Sequence, residues 1–413
     1  MGFGWLAGAH AAHRRTGTVL AVAVAMVLGL LSTPVAGAVP YPDQDPFYAA
    51  PADLASQPNG ALLGVRSISV FGLPLPVSAW QLRYRTTDSA DHPILDVTTV
   101  VVPTTTWDKG PRPLLSYQVP EDSLGTRCAP SFAFSGGHDP GVVNTLLDVP
   151  FMTAALLRGW ALAISDYEGP YSRFLDGPGA GRAVLDGIRA ALSFAPGGVQ
   201  TASPVGAWGY SGGAFATLWA AQLRSSYAPQ VRFAGISAGG VPADIAAIAQ
   251  RVDGGGQAGL ALLILMALTR NHPDSGLSGA LNDRGRALLA ANATACGSNL
   301  VPQYVNARVD SFSRTPDLLG SKEFRGTTAA NELGVEAPDS PMYLYHSNSD
   351  DVIPVAGFSR LVDRYCALGA RLTAIHSIFP THNGAAAGEA LGGMNFLADR
   401  FDGQPVTAGC TVR

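Results

Sequence analysis

An α/β fold is predicted, with a mostly parallel central sheet flanked by helices and a helical insertion near its end. Three observations lead there. Strand-like and helix-like runs alternate from about Leu114 onward, the pattern of a parallel sheet with crossover helices. A Gly-Tyr-Ser-Gly-Gly turn at 209–213 sits between a strand-like run and a helix-like one. The rhythm then breaks between about Asp244 and Asp339, where helical patterns follow one another without a convincing strand.

Taken in order, the first 38 residues read as an export signal. His13, Arg14 and Arg15 form a basic start, Val19 to Leu31 is uncharged and apolar, and Ala36-Gly37-Ala38 has the small-residue cleavage pattern, with the cut near Ala38. The apolar run falls short of the roughly 20 residues a membrane-spanning helix needs. The exported chain would be extracytoplasmic, in the cell envelope or secreted. Val39 to about Asn59, rich in Pro, Asp and Ala, reads as an arm on the body.

Strands are then expected at Gln81–Arg85, Leu95–Val102, Leu114–Val119, Trp160–Ser165, Val205–Trp208, Val231–Ile236, Met342–His346 and Leu372–Phe379. Helices are expected at Thr153–Arg158, Ala183–Phe194, Ala214–Tyr227, Arg284–Ala291 and Gly357–Leu368. This divides the chain into a body of residues 39–243 and 340–413 and a helical cap of 244–339. The apolar stretch Leu260–Leu268 within the cap reads either as a buried helix or as a surface for apolar substrate. Gly254-Gly255-Gly256 is a turn and not a phosphate loop, because no strand precedes it and no Gly-Lys-Ser/Thr follows.

Composition narrows the function classes. With 47% hydrophobic residues, 14% charged residues and a net charge of −4, the chain is not disordered and carries no excess positive charge to attract nucleic acid or anionic membranes. The 4 cysteines, Cys128, Cys296, Cys366 and Cys410, all follow the export signal, where an oxidising compartment favours disulfides. Sequence alone leaves three pairings open, and none of the spacings is C-x-x-C, which argues against a zinc or thioredoxin-type site. No metal or cofactor is expected.

Gly209-Tyr210-Ser211-Gly212-Gly213 matches the G-x-S-x-G turn that presents a nucleophilic serine in the α/β-hydrolase fold. The sharp bend leaves no room for side chains two residues before and after the serine, which Gly209 and Gly213 satisfy. The Gly212 N–H, at the helix start, is one donor for an oxyanion. Gly235-Ile236-Ser237-Ala238-Gly239 matches the same pattern, but Pro242 and the capping residue Asp244 put the next helix too far on for Ser237 to be the nucleophile.

A serine needs a base to take its proton and an acid to orient the base. In this architecture the acid and then the histidine follow the serine in sequence, on loops after later strands. His382 fits, just past Leu372–Phe379, whereas His376 lies within that strand and His346 ends an earlier one. For the acid, Asp350 is chosen over Asp351, with a solvated turn carboxylate expected for the loser. The second oxyanion donor can be placed only somewhere in the loop Pro120–Leu124.

The chain is similar to the secretory lipase family, the yeast lipase A type with its actinobacterial relatives. The likeness runs from about Gln81 to the C-terminus. It rests on Tyr117-Gln118, Glu121-Asp122-Ser123, Cys128-Ala129-Pro130-Ser131, Gly159-Trp160, Asp166-Tyr167-Glu168-Gly169-Pro170 and 184–190. The Ser211 turn and Gly239-Gly240-Val241-Pro242-Ala243-Asp244 complete it. The resemblance implies that Asp122 joins Gly212 in the oxyanion hole, that 244–339 is a cap, and that Cys128 pairs with Cys296 and Cys366 with Cys410. The function expected is hydrolysis of carboxylic esters, acylglycerols foremost, through Ser211, His382 and Asp350. A lipid or ester substrate and peripheral contact with a lipid interface are expected, with no nucleic acid and no obligate protein partner. The alternatives are an acyltransferase or peptidase using the same three residues, or an inactive cell-envelope binding protein on this scaffold.

Overall fold

The computed structural model describes residues 39–413; the export signal expected at 1–38 lies outside them. Ten strands form one sheet: β1 Leu62–Ile68, β2 Val77–Thr87, β3 Pro93–Pro103, β4 Leu114–Gln118, β5 Ala161–Ser165, β6 Val205–Tyr210, β7 Phe233–Gly239, β8 Met342–Ser347, β9 Leu372–Ser377 and β10 Cys410–Val412. Their order across the sheet is β1-β2-β3-β5-β4-β6-β7-β8-β9-β10. The first three strands and the β3–β5 pair are antiparallel. From β5 onward every pairing is parallel.

The central parallel strands are buried on both faces, which explains why β4, β5 and β6 read as continuous small or apolar runs without alternation. One face is covered by helices α3 Gly177–Phe194 and α4 Gly212–Tyr227, whose Val184, Ile188, Phe215 and Leu218 meet Ala163 and Ala207 of the sheet. The other is covered by α1 Pro130–Phe134 and α2 Val143–Leu156, and by the last helix, described below. Its core is aromatic, with Phe132, Tyr117, Trp160, Trp208 and Tyr345 all buried.

Between β7 and β8 lie α5 Ile245–Val252, α6 Ala258–Asn271, α7 Leu277–Ala280, α8 Asp283–Ala291, α9 Gly297–Gln303 and α10 Lys322–Ala329. Asp244 caps α5 by accepting the Ala247 N–H at 2.9 Å, so the first helix after β7 starts well beyond Ser237. Helix α6 is buried nearly all round and shares one apolar core with α3 and α4. It is 14 residues long, and among the described residues no helix is long and apolar enough to cross a membrane.

After β8 come α11 Val355–Ala367, β9 and α12 His382–Phe401. Two disulfides join Cys128 to Cys296 and Cys366 to Cys410, the pairing implied by the family resemblance. The second ties α11 to the short strand β10 at the sheet's edge.

Candidate active site

The site is built at the carboxyl ends of β4, β6, β8 and β9. Strand β6 turns into α4 at Ser211, whose φ of 54° and ψ of −124° lie outside the regions open to ordinary residues. The turn is held from both sides. The Ser211 N–H donates to the Gly239 carbonyl at 3.0 Å, and its carbonyl accepts from the Phe215 N–H at 3.1 Å. A methyl group on Gly209 would collide with the Gly213 carbonyl, and one on Gly213 with the Gln118 carbonyl. Glycine is therefore required at both positions by backbone packing. As the first residue of α4, Gly212 has an N–H with no partner inside the helix, available to a negative oxygen at the turn.

His382 opens α12, and its Nδ1 lies 2.8 Å from Asp350 Oδ2. The other carboxylate oxygen of Asp350 accepts the N–H groups of Val352 at 2.9 Å and Ile353 at 2.7 Å. Burial by itself would raise the Asp350 pKa. The His382 hydrogen bond and charge, together with the Ile353 N–H and His346, outweigh it and hold the carboxyl below its ordinary range. The His382 ring packs 4.9 Å from the Tyr210 ring, and its Cε1 borders Gly240, next to the carbonyl that anchors Ser211.

The competing residues are placed elsewhere. His346 is buried below the acid, stacked on Phe358, with Nε2 3.0 Å from the Ile353 carbonyl and 3.5 Å from Asp350 Oδ2. Both partners are acceptors, so this nitrogen carries a proton, and burial lowers the ring's pKa against the Ile353 hydrogen bond and the Asp350 charge. His376 bonds Asn348 at 3.1 Å on the surface. Ser237 lies inside β7, fully buried, with its hydroxyl unpartnered. Asp351 corrects an expectation. It is not merely a solvated turn carboxylate, because it accepts the backbone N–H of His382 at 2.8 Å. Sequence reasoning missed that contact because it is made to a backbone 31 residues on, which no side-chain pattern records.

The loop after β4 brings Asp122 against Gly212, with the Asp122 Oδ1 where a Gly212 side chain would start. Asp122 has a φ of 45°. The inserted segment holds it there: Gly297 N–H donates to the Asp122 carbonyl at 2.8 Å and Leu124 N–H to the Ala295 carbonyl at 2.8 Å, with a bridge between Ser123 and Cys296. The Cys128–Cys296 disulfide locks the same junction. On the far side Ser123 Oγ donates to Glu168 at 2.6 Å. Burial pushes the Asp122 carboxyl up to about 6, with His382 opposing.

A cavity of about 40 Å³ opens beside Ser211, lined by Gly212, Phe174, Leu175, Ile248, Leu260 and Ile264 among others. A roomier cavity of about 420 Å³ under the N-terminal arm, lined by Tyr48, Asp96 and Asp166, shares none of these residues. Among the described residues no group of three or more His, Cys, Asp or Glu is placed to hold a metal ion.

The chain matches the family model described as secretory lipase over residues 138–409. It is 32% identical to lipase A of Moesziomyces aphidis, over 94% of this chain and 86% of the relative. It is 34% identical to a probable inactive lipase of Mycobacterium tuberculosis, over 89% of this chain and 84% of that protein. The solved structure of Candida antarctica lipase A in its closed state superposes with a TM-score of 0.84 at 31% identity, covering 90% of this chain and 89% of that one. With its parallel sheet and its Ser211 turn, the chain belongs to the secretory lipase family, carboxylic ester hydrolases of the α/β-hydrolase fold.

Proposed function

We propose that the protein is exported and hydrolyses acylglycerols through Ser211, His382 and Asp350. The observation that carries this reading is the strained Ser211 turn beside a buried His382–Asp350 pair. His382 takes the Ser211 proton at Nε2 as the hydroxyl oxygen bonds to the ester carbonyl carbon. The carbonyl's electron pair moves to its oxygen, which the N–H groups of Gly212 and Asp122 receive. Collapse of this intermediate breaks the bond to the alcohol, His382 returns the proton to the leaving oxygen, and an acyl-Ser211 ester remains. Water, deprotonated by His382, then releases the acid and restores the serine. Asp350 keeps the imidazole in the tautomer that presents Nε2 and stabilises its cation.

Residues 244–339 act as a cap that supplies the acyl site. Leu260 and Ile264 on α6 line the cavity beside Ser211. Burying an acyl chain gains about 0.8 kcal/mol per methylene, so an apolar wall favours long-chain substrates. The cavity of about 40 Å³ takes only a few water molecules, and acyl entry requires the cap helices to shift.

The relative described as a probable inactive lipase favours a second reading, a binding protein without catalysis. The presence here of the serine turn, and of a histidine and an acid in contact with each other, supports the enzyme instead. The test compares triolein, short-chain p-nitrophenyl esters, peptides and transfer to added alcohols with purified protein beginning at Val39. Release of fatty acid from triolein is the expected result. Cleavage of peptides without esters, or transfer without hydrolysis, would assign the same residues to the other reactions, and inertness toward every substrate would support the binding protein.

A further inference from the structure

The loop that carries His382 is held by a contact outside the three reacting residues. His382 follows Thr381, a β-branched residue at φ 66° and ψ 161°, a conformation that persists only where surrounding contacts over-determine it. Three contacts do so. Thr381 accepts the Gly384 N–H on its own hydroxyl at 3.1 Å, and the Tyr210 hydroxyl donates to the His382 carbonyl at 2.5 Å. Asp351 Oδ1 accepts the His382 N–H at 2.8 Å. That N–H is the first of α12 and has no partner within the helix, so the carboxylate both satisfies it and meets the positive end of the helix dipole.

We propose that Asp351 is a positioning residue for the base: with Tyr210 it clamps the His382 backbone on both sides, fixing where the imidazole stands between Asp350 and Ser211. The inference rests on His382 being the base. The two adjacent carboxylates divide the work, Asp350 holding the ring and Asp351 the main chain beneath it. Tyr210 belongs to β6 and immediately precedes Ser211, so the clamp ties the base's loop to the nucleophile's strand. The charged or titratable groups facing His382 are Asp350, Asp351, Asp122, Tyr210 and, behind Asp350, His346. Asp351 is the exposed one of the two adjacent carboxylates, so its substitution leaves the buried His382–Asp350 contact chemically intact.

The experiment compares wild type, D351A and D351N by kcat and KM on a soluble p-nitrophenyl ester across pH, with S211A as control and fluorophosphonate labelling to count competent serines. D351A is expected to lose about tenfold or more in kcat at little-changed KM. D351N, whose amide oxygen still accepts the N–H, is expected to recover to within about threefold of wild type. A D351A enzyme within twofold of wild type, or a D351N enzyme as impaired as D351A, overturns the proposal. If D351A does not fold, D351N decides alone: near-native kcat at unchanged KM supports the clamp, and a loss of tenfold overturns it. Labelling that survives in S211A, or a wild type that neither labels nor hydrolyses, overturns the catalytic reading itself and is told apart by that control.

Discussion

Serine holds a φ of 54° only in a tight turn, and around Ser211 positions 209, 212 and 213 are all glycine. Because a Gly213 methyl would meet the Gln118 carbonyl of β4, Gly213→Ala has to separate two backbone segments that cannot move independently of the sheet. Overpacking of this kind costs about 3 kcal/mol. A fall in unfolding free energy of that size, with ester hydrolysis lost, is expected in urea titration and activity assays of G213A. Ser237 provides the counter-case. Its buried hydroxyl has no partner, so Ser237→Ala removes an unsatisfied group and should leave the urea midpoint unchanged or raised, with serine labelling intact. A loss of labelling in S237A would reverse the assignment of the nucleophile turn.

At the scale of elements, the loop after β4 and the inserted segment are joined by the Asp122–Gly297 and Leu124–Ala295 hydrogen bonds and the Cys128–Cys296 disulfide. Replacing both cysteines by serine should cost about 3–5 kcal/mol of stability. It should also slow serine labelling more than removal of Cys366–Cys410, which lies at the sheet edge away from Ser211. Equal effects from the two pairs would separate the loop from the inserted segment. The central strands and α4 were legible in the sequence because buried parallel strands are short apolar runs and the serine turn carries its own signature. Others were missed or cut short. Strand β1 sits at the sheet edge with an irregular register and shows no clean alternation. Helix α12 is rich in glycine, which argues against a helix on propensity. Its glycines serve contact instead: Gly393 lies against Trp208 and Ser237, Gly392 against Tyr343 and Gly388 against Phe379. Helix α3 begins earlier than its apolar periodicity suggested for the same reason, with Gly177 and Gly181 packed on Trp219. In the site, the serine turn, His382 and Asp350 were picked out by order and spacing, and the last two lie in contact, whereas the Asp351 contact depends on how β8 and β9 deliver their loops side by side.

Across the whole molecule, Glu121, Asp166 and Glu168 are buried together around the loop after β4. Burial raises Glu121 and Glu168, the latter to about 8 against the hydrogen bonds from Ser123, and pushes Asp166 up to about 7 against those from Ser131. For acids whose folded pKa lies above the unfolded value, the folded state binds more protons in between. Their contribution is therefore fully present below the ordinary carboxylate range and is lost as pH rises through about 7–8. Asp350 has the opposite sign: its depressed pKa contributes stability above the ordinary carboxylate range, lost only as pH falls below it. Unfolding free energy measured in urea is expected to fall between pH 5 and 9, values set by about those pKa positions, and Glu168→Gln should flatten the decline. A stability that rises over that interval would mean these carboxyls are ionised in the fold.

The central claim is that Ser211 is the nucleophile served by His382. Its most direct test is to treat the protein with a fluorophosphonate, map the modified residue by mass spectrometry, and repeat the labelling with His382→Ala. A single adduct on Ser211 in the wild type, formed far more slowly in H382A, is the expected result. An adduct on another serine, or labelling of Ser211 at an unchanged rate without His382, would contradict it.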